Sequence, residues 1–583
     1  MVTVTITLTD GVITAVETVA DDETDGFGKK AAAELPAIWV DKNSIVDTFS
    51  GATVTSGALQ EAAVAALTAA AVDPAAYMTV TEEAPAEDAV YDADIVVVGA
   101  GGAGMVAALT AAAEGKTVVI IEGQPMVGGN SVRATGGMNA AKTPAQDENA
   151  FGESAGVEKT LATAASKYAD NEAITALADT VTTQWAAYQS SAEGYFDSVE
   201  LMELDTMIGG TGKNDPALVA TMCENTADAI EWLKTVNIEL TSVGSFGGAS
   251  VKRIHRPVNA EGKTISVGSY MIPLLETACN ETENITILLN TTANTILTAD
   301  GAACGIEAVG KAGEKVTVNA GAVILATGGF GANLDMVAEL KPELKGFMTT
   351  NAPGAQGQGI VMAQAIGAAT VDMEQIQIHP TVQYDTSALI TEGLRGDGAI
   401  LVNAEGKRFI DEVGTRDVVS AAEIAQPGSY SYLVVDQAMV DASAVIQGYI
   451  KKGFTVSGET YEELGAALGM DGAVLAETMN TWNGYVEAKS DPDFDRTSFA
   501  NPLNTAPYYA IKVTAGVHHT MGGLKINTET QVLDAEGNAI PGLYAAGEVT
   551  GGVHGSNRLG GNAVADFVVF GRIAGAQAAA YVK

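Results

Sequence analysis

The chain opens with two short runs in which apolar and polar residues alternate, and a helical segment follows them. Residues 2–16 alternate on both sides of Asp10-Gly11, a dipeptide typical of tight turns, and therefore predict a β-hairpin. Residues 57–71, GALQEAAVAALTAAA, are rich in helix-forming residues and predict a helix. An acidic, proline-containing stretch comes next, so we predict a first domain at 1–75 and a linker at 76–92.

The next segment, residues 93–122, has the pattern of a strand, a glycine turn, a helix and a second strand. Gly99, Gly101 and Gly104 fill the motif G-x-G-x-x-G, and Glu122 ends the second strand 18 residues after Gly104. In this frame the glycines allow a tight turn, a close approach of pyrophosphate to the backbone, and packing of the helix on the strand. The carboxylate can accept hydrogen bonds from both ribose hydroxyls. The segment predicts an α/β fold with a Rossmann-like dinucleotide-binding domain.

Glycine-rich turns recur further along the chain and favour FAD over NAD. GGNSVRATGG at 128–137 suits a flavin's pyrophosphate and ring, and GLYAAGEVTGG at 542–552 places Glu548 at another strand end. Because cofactor-binding elements return near the C-terminus, the residues between them form an inserted domain. We predict the FAD-binding domain at 93–373 and 519–583, and an α+β clamp (capping) domain at 374–518.

Composition narrows the classes of partner and cofactor. At 583 residues the chain exceeds one ordinary core, and its net charge of −41 argues against nucleic acid or an anionic membrane as partner. An anionic substrate must then be drawn in by local arginines. Cys223, Cys279 and Cys304 form no C-x-x-C, which excludes iron–sulfur, c-type haem and zinc-ribbon sites and predicts core cysteines. We expect no metal, no signal peptide in the sequence given, and no uninterrupted apolar run that spans a bilayer.

Several histidines and arginines lie in glycine-broken segments of the second half of the chain. Singly, each is more often a hydrogen-bonded structural histidine or a solvated arginine. Together they could bind and polarise a small carboxylate, since an arginine side chain can donate two parallel hydrogen bonds to the two oxygens of a carboxylate. The residues are His379 in QIHPT, Thr391, Glu392 and Arg395 in LITEGLRGDGA, Arg416 in GTRD, His518 in GVHHTMGG and Arg558 in HGSNRLGGN.

At these strings, and over the chain from about residue 92 to its end, the sequence resembles the soluble flavin fumarate reductases, the flavocytochrome c and urocanate reductase family. It is more distantly similar to the flavoprotein subunit of succinate dehydrogenase. The resemblance implies an FAD-dependent oxidoreductase acting on CH–CH groups, with non-covalent FAD and a clamp domain inserted in the FAD-binding domain. It also implies anaerobic respiration, electron transport from an external donor, and a periplasmic or cell-surface location, with a cytoplasmic one still open.

The resemblance also implies roles for individual residues. Arg558 and His518 hold one carboxylate of the substrate, His379 and Thr391 hold the other, and Gly136 and Gly561 bring backbone against it. Reduced FAD gives a hydride to one alkene carbon, Arg416 gives a proton to its neighbour, and Glu392 and Arg395 relay protons to Arg416. The implied FAD contacts, besides the glycines of the first motif, are Ala103, Glu122, Gly129, Asn130, Ser131, Thr135, Gly136, Gly137, His519, Glu548, Ala563 and Val564.

Three positions bear on how closely this chain follows the family. Gln358 stands where the family often has Asp, and we expect it to loosen one FAD contact. Phe246 and Leu389 stand where methionines are expected in the clamp over the substrate. His379 favours a substrate with a second carboxylate, since relatives acting on urocanate have tyrosine there.

The segment DTFSGATVTS at 47–56 lies well before the FAD motif. D-x-x-S-G-A-T resembles the site of FMN-binding domains in which a threonine, here Thr53, is esterified by FMN phosphate by a separate flavin transferase. The alternative is a Ser/Thr-rich loop that caps the next helix. Because this segment precedes an FAD reductase that lacks haem motifs, electrons would enter the protein through covalent FMN.

Three functions stay open from the sequence. The first is a fumarate reductase in which electrons pass from an external donor through FMN and FAD. The second is a reductase of another α,β-unsaturated carboxylate, such as urocanate, acrylate, methacrylate, itaconate or a cinnamate. The third is a flavin electron carrier whose FAD site does not turn over.

Overall fold

We analysed a computed structural model of the chain, which describes residues 2–20, 23, 28–46, 53–78, 87–191 and 193–583, without the side chains of 53 and 54. The N-terminal region contains β1 (Thr3–Thr9), β2 (Val12–Val19), α1 (Gly28–Lys42), α2 (Thr53–Ala69) and a 3₁₀ turn at Pro74–Tyr77. The hairpin β1–β2 and helix α2 confirm the predicted elements. Helix α1 was not predicted, because it contains Pro36, a residue that normally ends a helical pattern.

The N-terminal region has its own hydrophobic core. Trp39, Leu35 and Leu59 are fully buried in it. The Tyr77 hydroxyl donates to the Gly11 carbonyl at 2.9 Å, so the region extends at least to Tyr77. Tyr77 and the first residues of the next strand both fall within the segment 76–92 predicted as linker; the domain boundaries stay predictions.

The middle of the chain builds the cofactor-binding part of the molecule. Its elements are β3 (Ala89–Val98), α3 (Gly102–Ala113), β4 (Val118–Ile121), β5 (Met138–Asn139), α4 (Pro144–Asp147), α5 (Ser154–Lys167), α6 (Glu172–Ser191), α7 (Val199–Gly209), α8 (Pro216–Glu224), α9 (Thr226–Thr235), β6 (Ser242–Gly244), β7 (Ile254–Arg256), α10 (Val267–Glu281), β8 (Ile285–Leu288), β9 (Thr292–Ala299), β10 (Ala302–Val309), β11 (Lys315–Leu325), α11 (Leu334–Leu340), α12 (Gln358–Gln364) and β12 (Thr370–Val371). Strands β5, β7 and β6 form a small antiparallel sheet.

The second half continues with β13 (Ile376–Gln383), α13 (Gly393–Gly396), β14 (Ile400–Val402), α14 (Arg416–Ile424), β15 (Ser431–Asp436), α15 (Gln437–Ala442), α16 (Ala444–Lys451), β16 (Thr455–Gly458), α17 (Tyr461–Leu468), α18 (Gly472–Ala488), β17 (Tyr508–Thr520), β18 (Gly523–Leu524), β19 (Gln531–Leu533), β20 (Ala539–Ala545) and α19 (Asn562–Tyr581).

Two large sheets position the site. The first, here called the large sheet, has the order β19-β20-β11-β3-β4-β8, with β10 paired to β11 and β9 paired to β10; β20, β11, β3, β4 and β8 run parallel. The second, here called the clamp sheet, has the order β13-β17-β15-β14, with β16 also paired to β17. The last strand of the parallel series, β20, follows the clamp sheet in sequence. The α/β class and the Rossmann-like unit are confirmed.

Helix α19 closes the core of the large sheet by packing on α3. Its 20 residues are long and apolar enough to cross a membrane by length and composition, although 67% of its most apolar window is buried inside the structure. It also carries Asp566 and Arg572. These are the properties of a core helix. Cys223 and Cys279 are buried core residues, as predicted, and Cys304 is half-buried.

Candidate active site

The first glycine turn lies where β3 ends and α3 begins. Gly99 has φ +104°, and a Cβ there would collide with the Ala326 carbonyl oxygen of the neighbouring strand. A Cβ on Gly104 would collide with the Gly99 carbonyl, so Gly104 serves the packing of α3 on β3. At Gly101, in contrast, a Cβ would meet nothing closer than Ser131 Oγ at 3.7 Å, because this residue faces a cavity.

Glu122 follows β4 directly and lies beside this turn. Its two carboxylate oxygens accept from the backbone N–H groups of Ala100 at 2.9 Å and Gln124 at 2.8 Å. Burial raises the pKa of Glu122, which these two hydrogen bonds partly offset. The carboxylate is therefore held in one orientation at the cavity wall, with lone pairs left for a ligand hydroxyl.

The second glycine turn, 128–137, is tied to three other segments. Ser131 Oγ accepts from the Gly102 N–H at 3.1 Å, which joins this turn to the start of α3. Asn130 accepts from the Ala352 N–H at 2.7 Å, and its amide donates to Asn351 at 2.6 Å and Glu548 at 3.3 Å. The turn is thus fixed along the length of the cavity.

The N-terminus of α19 points into the same cavity. Gly561, with φ +83°, precedes the helix, and Ala563 and Val564 in its first turn line the wall. The free N–H groups and the dipole of a 20-residue helix favour negative charge at this end.

The other end of the cavity is built by the clamp sheet and the loop before α19. His379 on β13 and His518 on β17 face each other with ring centroids 4.8 Å apart. The His518 ring bonds to Thr350 Oγ1 at 2.7 Å. Arg558 lies beside them, is buried, and donates through Nη1 to the Leu559 carbonyl at 2.9 Å; among the described residues it forms no ion pair. Its cationic end is therefore available to an anion.

Glu392 joins two arginines at this end. Its Oε2 accepts from Arg416 Nη2 at 2.5 Å and from Arg416 Nε at 3.0 Å, and its Oε1 accepts from Arg395 Nη2 at 3.0 Å. All three side chains are buried. Burial works to raise the pKa of Glu392, but the charges of Arg416 and Arg395 outweigh it and hold the pKa below its usual value.

The charges at this end leave it positive. Three buried arginines, Arg416, Arg395 and Arg558, lie around the carboxylate of Glu392, while Glu548 and Asp566 act on Arg558 from elsewhere along the cavity. Burial and then Arg416 lower the pKa of Arg558 to about 9. Burial and the neighbouring arginines hold the pKa values of His379 and His518 far below 6.5, so both rings are neutral at pH 7. Such a site attracts an anion and offers it neutral and cationic hydrogen-bond donors.

One continuous cavity brings together most of the predicted residues. Those that line it are Gly99, Gly101, Ala103, Glu122, Gly129, Asn130, Ser131, Thr135, Gly136, Gly137, His379, Glu392, Arg416, His518, His519, Glu548, Arg558, Gly561, Ala563 and Val564. Phe246 and Leu389 line it at the clamp end. Gln358 lies instead on an adjoining smaller cavity, which shares Gly99, Glu122 and Gly354 with the main one.

Of the residues predicted to bind FAD or substrate or to relay protons, three do not line the cavity. Gly104 packs inside the glycine turn, and Arg395 lies behind Glu392. Thr391 is buried at the start of α13, where its N–H donates to Tyr449 Oη at 2.9 Å and its Oγ1 accepts from the Gly393 N–H at 3.3 Å. Its predicted contact with a substrate carboxylate stays a prediction.

The sequence analysis missed Gln377, which connects both site arginines. Its Oε1 accepts from Arg416 Nη1 at 2.9 Å, and its Nε2 donates to the Arg558 carbonyl at 2.7 Å. Gln377 precedes His379 by two residues on β13. Because side chains alternate between the two faces of a strand, both side chains are expected on the same face. Thr350, which bonds to His518, lies in a loop with no comparable signal.

The segment with the predicted FMN attachment lies mostly outside the described residues. Residues 47–52 are not described, and α2 begins at Thr53, whose side chain is also outside the description. Two residues on, Thr55 Oγ1 donates to Glu23 at 2.8 Å.

The model of the FAD binding domain family matches residues 94–187 and 181–564. The chain belongs to this family. The FMN-binding domain family matches residues 1–68 of the same flavoprotein. Binding of FAD and FMN by separate parts of the chain is therefore confirmed, and the chain is an FAD-dependent oxidoreductase.

Relatives of this flavoprotein act on different substrates. Fumarate reductase (cytochrome) of Shewanella frigidimarina is 43% identical over 491 residues, covering 84% of this chain and 77% of that protein. Urocanate reductase of Eggerthella lenta is 36% identical over 581 residues, covering 96% of this chain and 87% of that protein. A solved structure, the open conformation of a flavocytochrome c3 fumarate reductase, matches with a TM-score of 0.64 and 38% identity over 84% of this chain and 79% of that one.

The cavity fits FAD on its own geometry. A Cβ at Gly99 or Gly104 would collide with backbone, so the narrow turn beside the cavity depends on glycine there. Glu122 is fixed at one end, the α19 N-terminus is at the cavity wall, and Glu548 Oε2 lies 3.9 Å from His519 Nε2. These groups would hold the dinucleotide and the polar edge of its ring.

Proposed function

We propose that this flavoprotein reduces the carbon–carbon double bond of fumarate to give succinate. The observation that carries the proposal is the pairing of a positive end, made by Arg558, His379 and His518, with the buried Arg416–Glu392 ion pair in the same FAD-binding cavity. A small dianion gains charge-assisted hydrogen bonds there at both ends.

When bound and reduced, FAD supplies a hydride to an electron-poor alkene carbon. Arg558 and His518 would orient one carboxylate, and His379 the other, so that the double bond lies in a fixed place. The Arg416 guanidinium would then donate a proton to the adjacent carbon. A guanidinium is a weak acid, which suits protonation of a strongly basic carbanion-like centre, and its charge can stabilise the negative charge that develops there.

Glu392 and Arg395 would restore the proton on Arg416. Glu392 already accepts from both arginines, one on each oxygen. A proton that leaves Arg416 can therefore be replaced along the hydrogen-bonded series Arg395, Glu392, Arg416 without water entering the substrate site. Glu392 and Arg395 act in this series and not in binding.

Electrons would enter through FMN esterified to Thr53. Two contacts support a fixed position of the N-terminal region beside the FAD cavity. Lys30 Nζ lies 2.8 Å from Glu276 of α10, and Met126, from the segment between β4 and the second glycine turn, is buried in the hydrophobic core of the N-terminal region. The beginning of α2 is near Lys30, because a Cβ on Gly28 would lie 2.9 Å from Thr55 Oγ1.

The donor to this FMN would be an external cytochrome, a quinol-linked protein or a reduced flavoprotein, and a flavin transferase would attach the FMN. Anaerobic respiration, in the periplasm or at the cell surface, is the setting that this electron path suits. The acidic net charge of −41 makes a basic donor surface favourable.

A second candidate is reduction of another α,β-unsaturated carboxylate. It is favoured by the relative named urocanate reductase, whose similarity extends over 96% of this chain, and by Phe246 and Leu389 at the clamp end. An aromatic and a branched side chain there shape the pocket differently from the methionines expected.

A substrate panel tests the proposal. Protein co-expressed with a flavin transferase is supplied with reduced viologen and with fumarate, urocanate, acrylate, methacrylate, itaconate or cinnamate, and oxidation of the viologen is followed. Fumarate turnover far above the others supports the proposal. A different best substrate supports the second candidate. If none of these compounds is turned over, the result supports the third function, a flavin electron carrier.

A further inference from the structure

A buried carboxyl group that the proposed mechanism does not use lies on the same helix as Arg416. Glu423 is fully buried on α14, seven residues after Arg416, which corresponds to about 10 Å along the helix axis. The helix ends at Ile424, which is 36% exposed. Glu423 therefore lies between the active-site end of α14 and the protein surface.

The surroundings of Glu423 are polar and incompletely paired. Its Oε1 accepts from Ser431 Oγ at 2.5 Å. Among the described residues, Glu423 Oε2, Ser420 Oγ and Arg395 Nε are buried and have no hydrogen-bond partner. Ser420 is one turn before Glu423 on α14, and Arg395 acts on Glu423 electrostatically. Glu423 Oε2 and Arg395 Nε are each left for a partner such as a water, which buried polar groups commonly bond.

The carboxyl of Glu423 carries a proton at neutral pH. Burial raises its pKa to about 8, against the opposing effects of Ser431 and Arg395. Of the charged groups in the described part of the chain, Arg395 is the one that shifts the pKa of Glu423. Helix α14 also packs on β13 and β17, and the titratable or charged side chains of those strands do not contribute to the shift; they are His379, Tyr508, Tyr509, Lys512, His518 and His519.

We propose that Glu423 supplies protons to Arg395 and so extends the series Arg395, Glu392, Arg416 toward the surface. This inference rests on the proposed function. After Arg395 has passed a proton from Nη2 to Glu392, the O–H bond of Glu423 breaks and an N–H bond forms at Nη2, through a water between Glu423 Oε2 and the Nε–Nη2 edge of Arg395, while Nε keeps its hydrogen. The resulting carboxylate takes a proton from solvent at the end of α14, where residues 427–429 are exposed. Glu423 touches no substrate, so it is a positioning residue for proton supply.

Glu423→Gln tests this role, because the amide keeps the size of the side chain and can bond Ser431 but has no acidic proton. We expect kcat with the best substrate of the panel to fall about tenfold or more, with KM, FAD content and the rate of FAD reduction by viologen unchanged. In the unmodified protein kcat falls above about pH 8, where Glu423 loses its proton, and in the variant this alkaline decrease is absent. Glu423→Asp should recover part of the lost rate. Glu477→Gln, at an exposed position of α18, is the matched control.

A kcat and an alkaline decrease equal to those of the unmodified protein would overturn the role of Glu423. If Glu423→Gln does not fold, the variant Ser431→Ala tests the role of Glu423 instead. The Ser431 hydrogen bond lowers the pKa of Glu423, so its loss moves the alkaline decrease of kcat to higher pH, whereas an unmoved decrease overturns the proposal. If the unmodified protein turns over none of the enoates in the panel, that result would instead exclude the proposed function itself.

Discussion

Arg416 donates through Nη2 and Nε to one oxygen of Glu392, at 2.5 and 3.0 Å, while Arg395 donates to the other oxygen at 3.0 Å. The proposed acid and its proton source are thus in direct contact inside the protein. Nη1 of Arg416 also donates to Gln377, which holds the plane of the guanidinium. In the proposed mechanism, proton transfer is therefore separate from substrate binding, which is assigned to other side chains.

Arg416→Ala should therefore abolish turnover and leave FAD bound, with the affinity for fumarate largely intact. Loss of an acid acts on the transition state more than on binding, and we expect kcat to fall by about 10⁴-fold. Steady-state kinetics with reduced viologen, and a fumarate titration of the flavin spectrum, measure the two effects. The role is excluded if the variant keeps a substantial fraction of kcat. Lys159→Ala, at a half-exposed side chain, controls for loss of a cation.

Arg558→Met should raise KM strongly and slow turnover as well, because a substrate carboxylate loses a charge-assisted partner. Such a bond contributes about 1.5–3 kcal/mol, so KM should rise roughly 10- to 100-fold. The pH dependence gives a second measure. In the unmodified enzyme Arg558 is cationic below its pKa of about 9, so KM is lowest there and rises above it. In the variant this rise is absent, and an unchanged KM at pH 7 would count against the role.

Much of the cofactor site could be predicted because it depends on short-range patterns. The first glycine turn and Glu122 lie within one strand–helix–strand unit, where the period of the apolar residues fixes which way each residue faces. The clamp-end residues could be placed only through family resemblance, since Glu392 and Arg416 are brought together from positions 24 residues apart. Thr391 was placed in the same way; its hydroxyl accepts from the Gly393 N–H, and its predicted contact with a substrate carboxylate stays a prediction.

Long-range contacts between domains gave no sequence signal. Lys30 and Glu276 are 246 residues apart and meet at 2.8 Å, and nothing in the composition around either residue distinguishes them from solvated charges. Met126 likewise reads as a residue of the FAD-binding region, yet it is buried in the core of the N-terminal region. Such pairs depend on how folded domains dock.

Gly560→Ala should disturb the position of the Glu392 side chain. A Cβ at Gly560 would collide with Glu392 Oε2, and the backbone cannot easily withdraw because its carbonyl accepts from Asn139 Nδ2 at 2.7 Å. Glu392 would move away from Arg416, and we expect kcat to fall about 100-fold, as for a misplacement of about 1 Å.

Gly484→Ala, on α18, is the matched control, because a Cβ there would meet nothing within 4 Å. FAD content and the melting temperature of Gly560→Ala should stay near those of the control. A Gly560→Ala enzyme with full kcat would show that the position of Glu392 does not limit proton transfer.

Thr53→Ala should remove one flavin and leave the other. If Thr53 carries FMN, protein made with a flavin transferase has two flavins, one of which survives denaturation, and a peptide containing Thr53 gains the mass of an FMN phosphoester. The FAD cavity lies in a separately packed core, so FAD should remain in the variant. Small artificial donors that reach FAD directly should still drive fumarate reduction, whereas the physiological donor should not.

The control for this prediction is Thr68→Ala, at an exposed position of the same helix, which should keep both flavins. A single flavin in the unmodified protein, or no added mass at Thr53, would reduce this segment to a helix cap, because a threonine hydroxyl at the start of α2 can accept a hydrogen bond from the free N–H groups of the first turn.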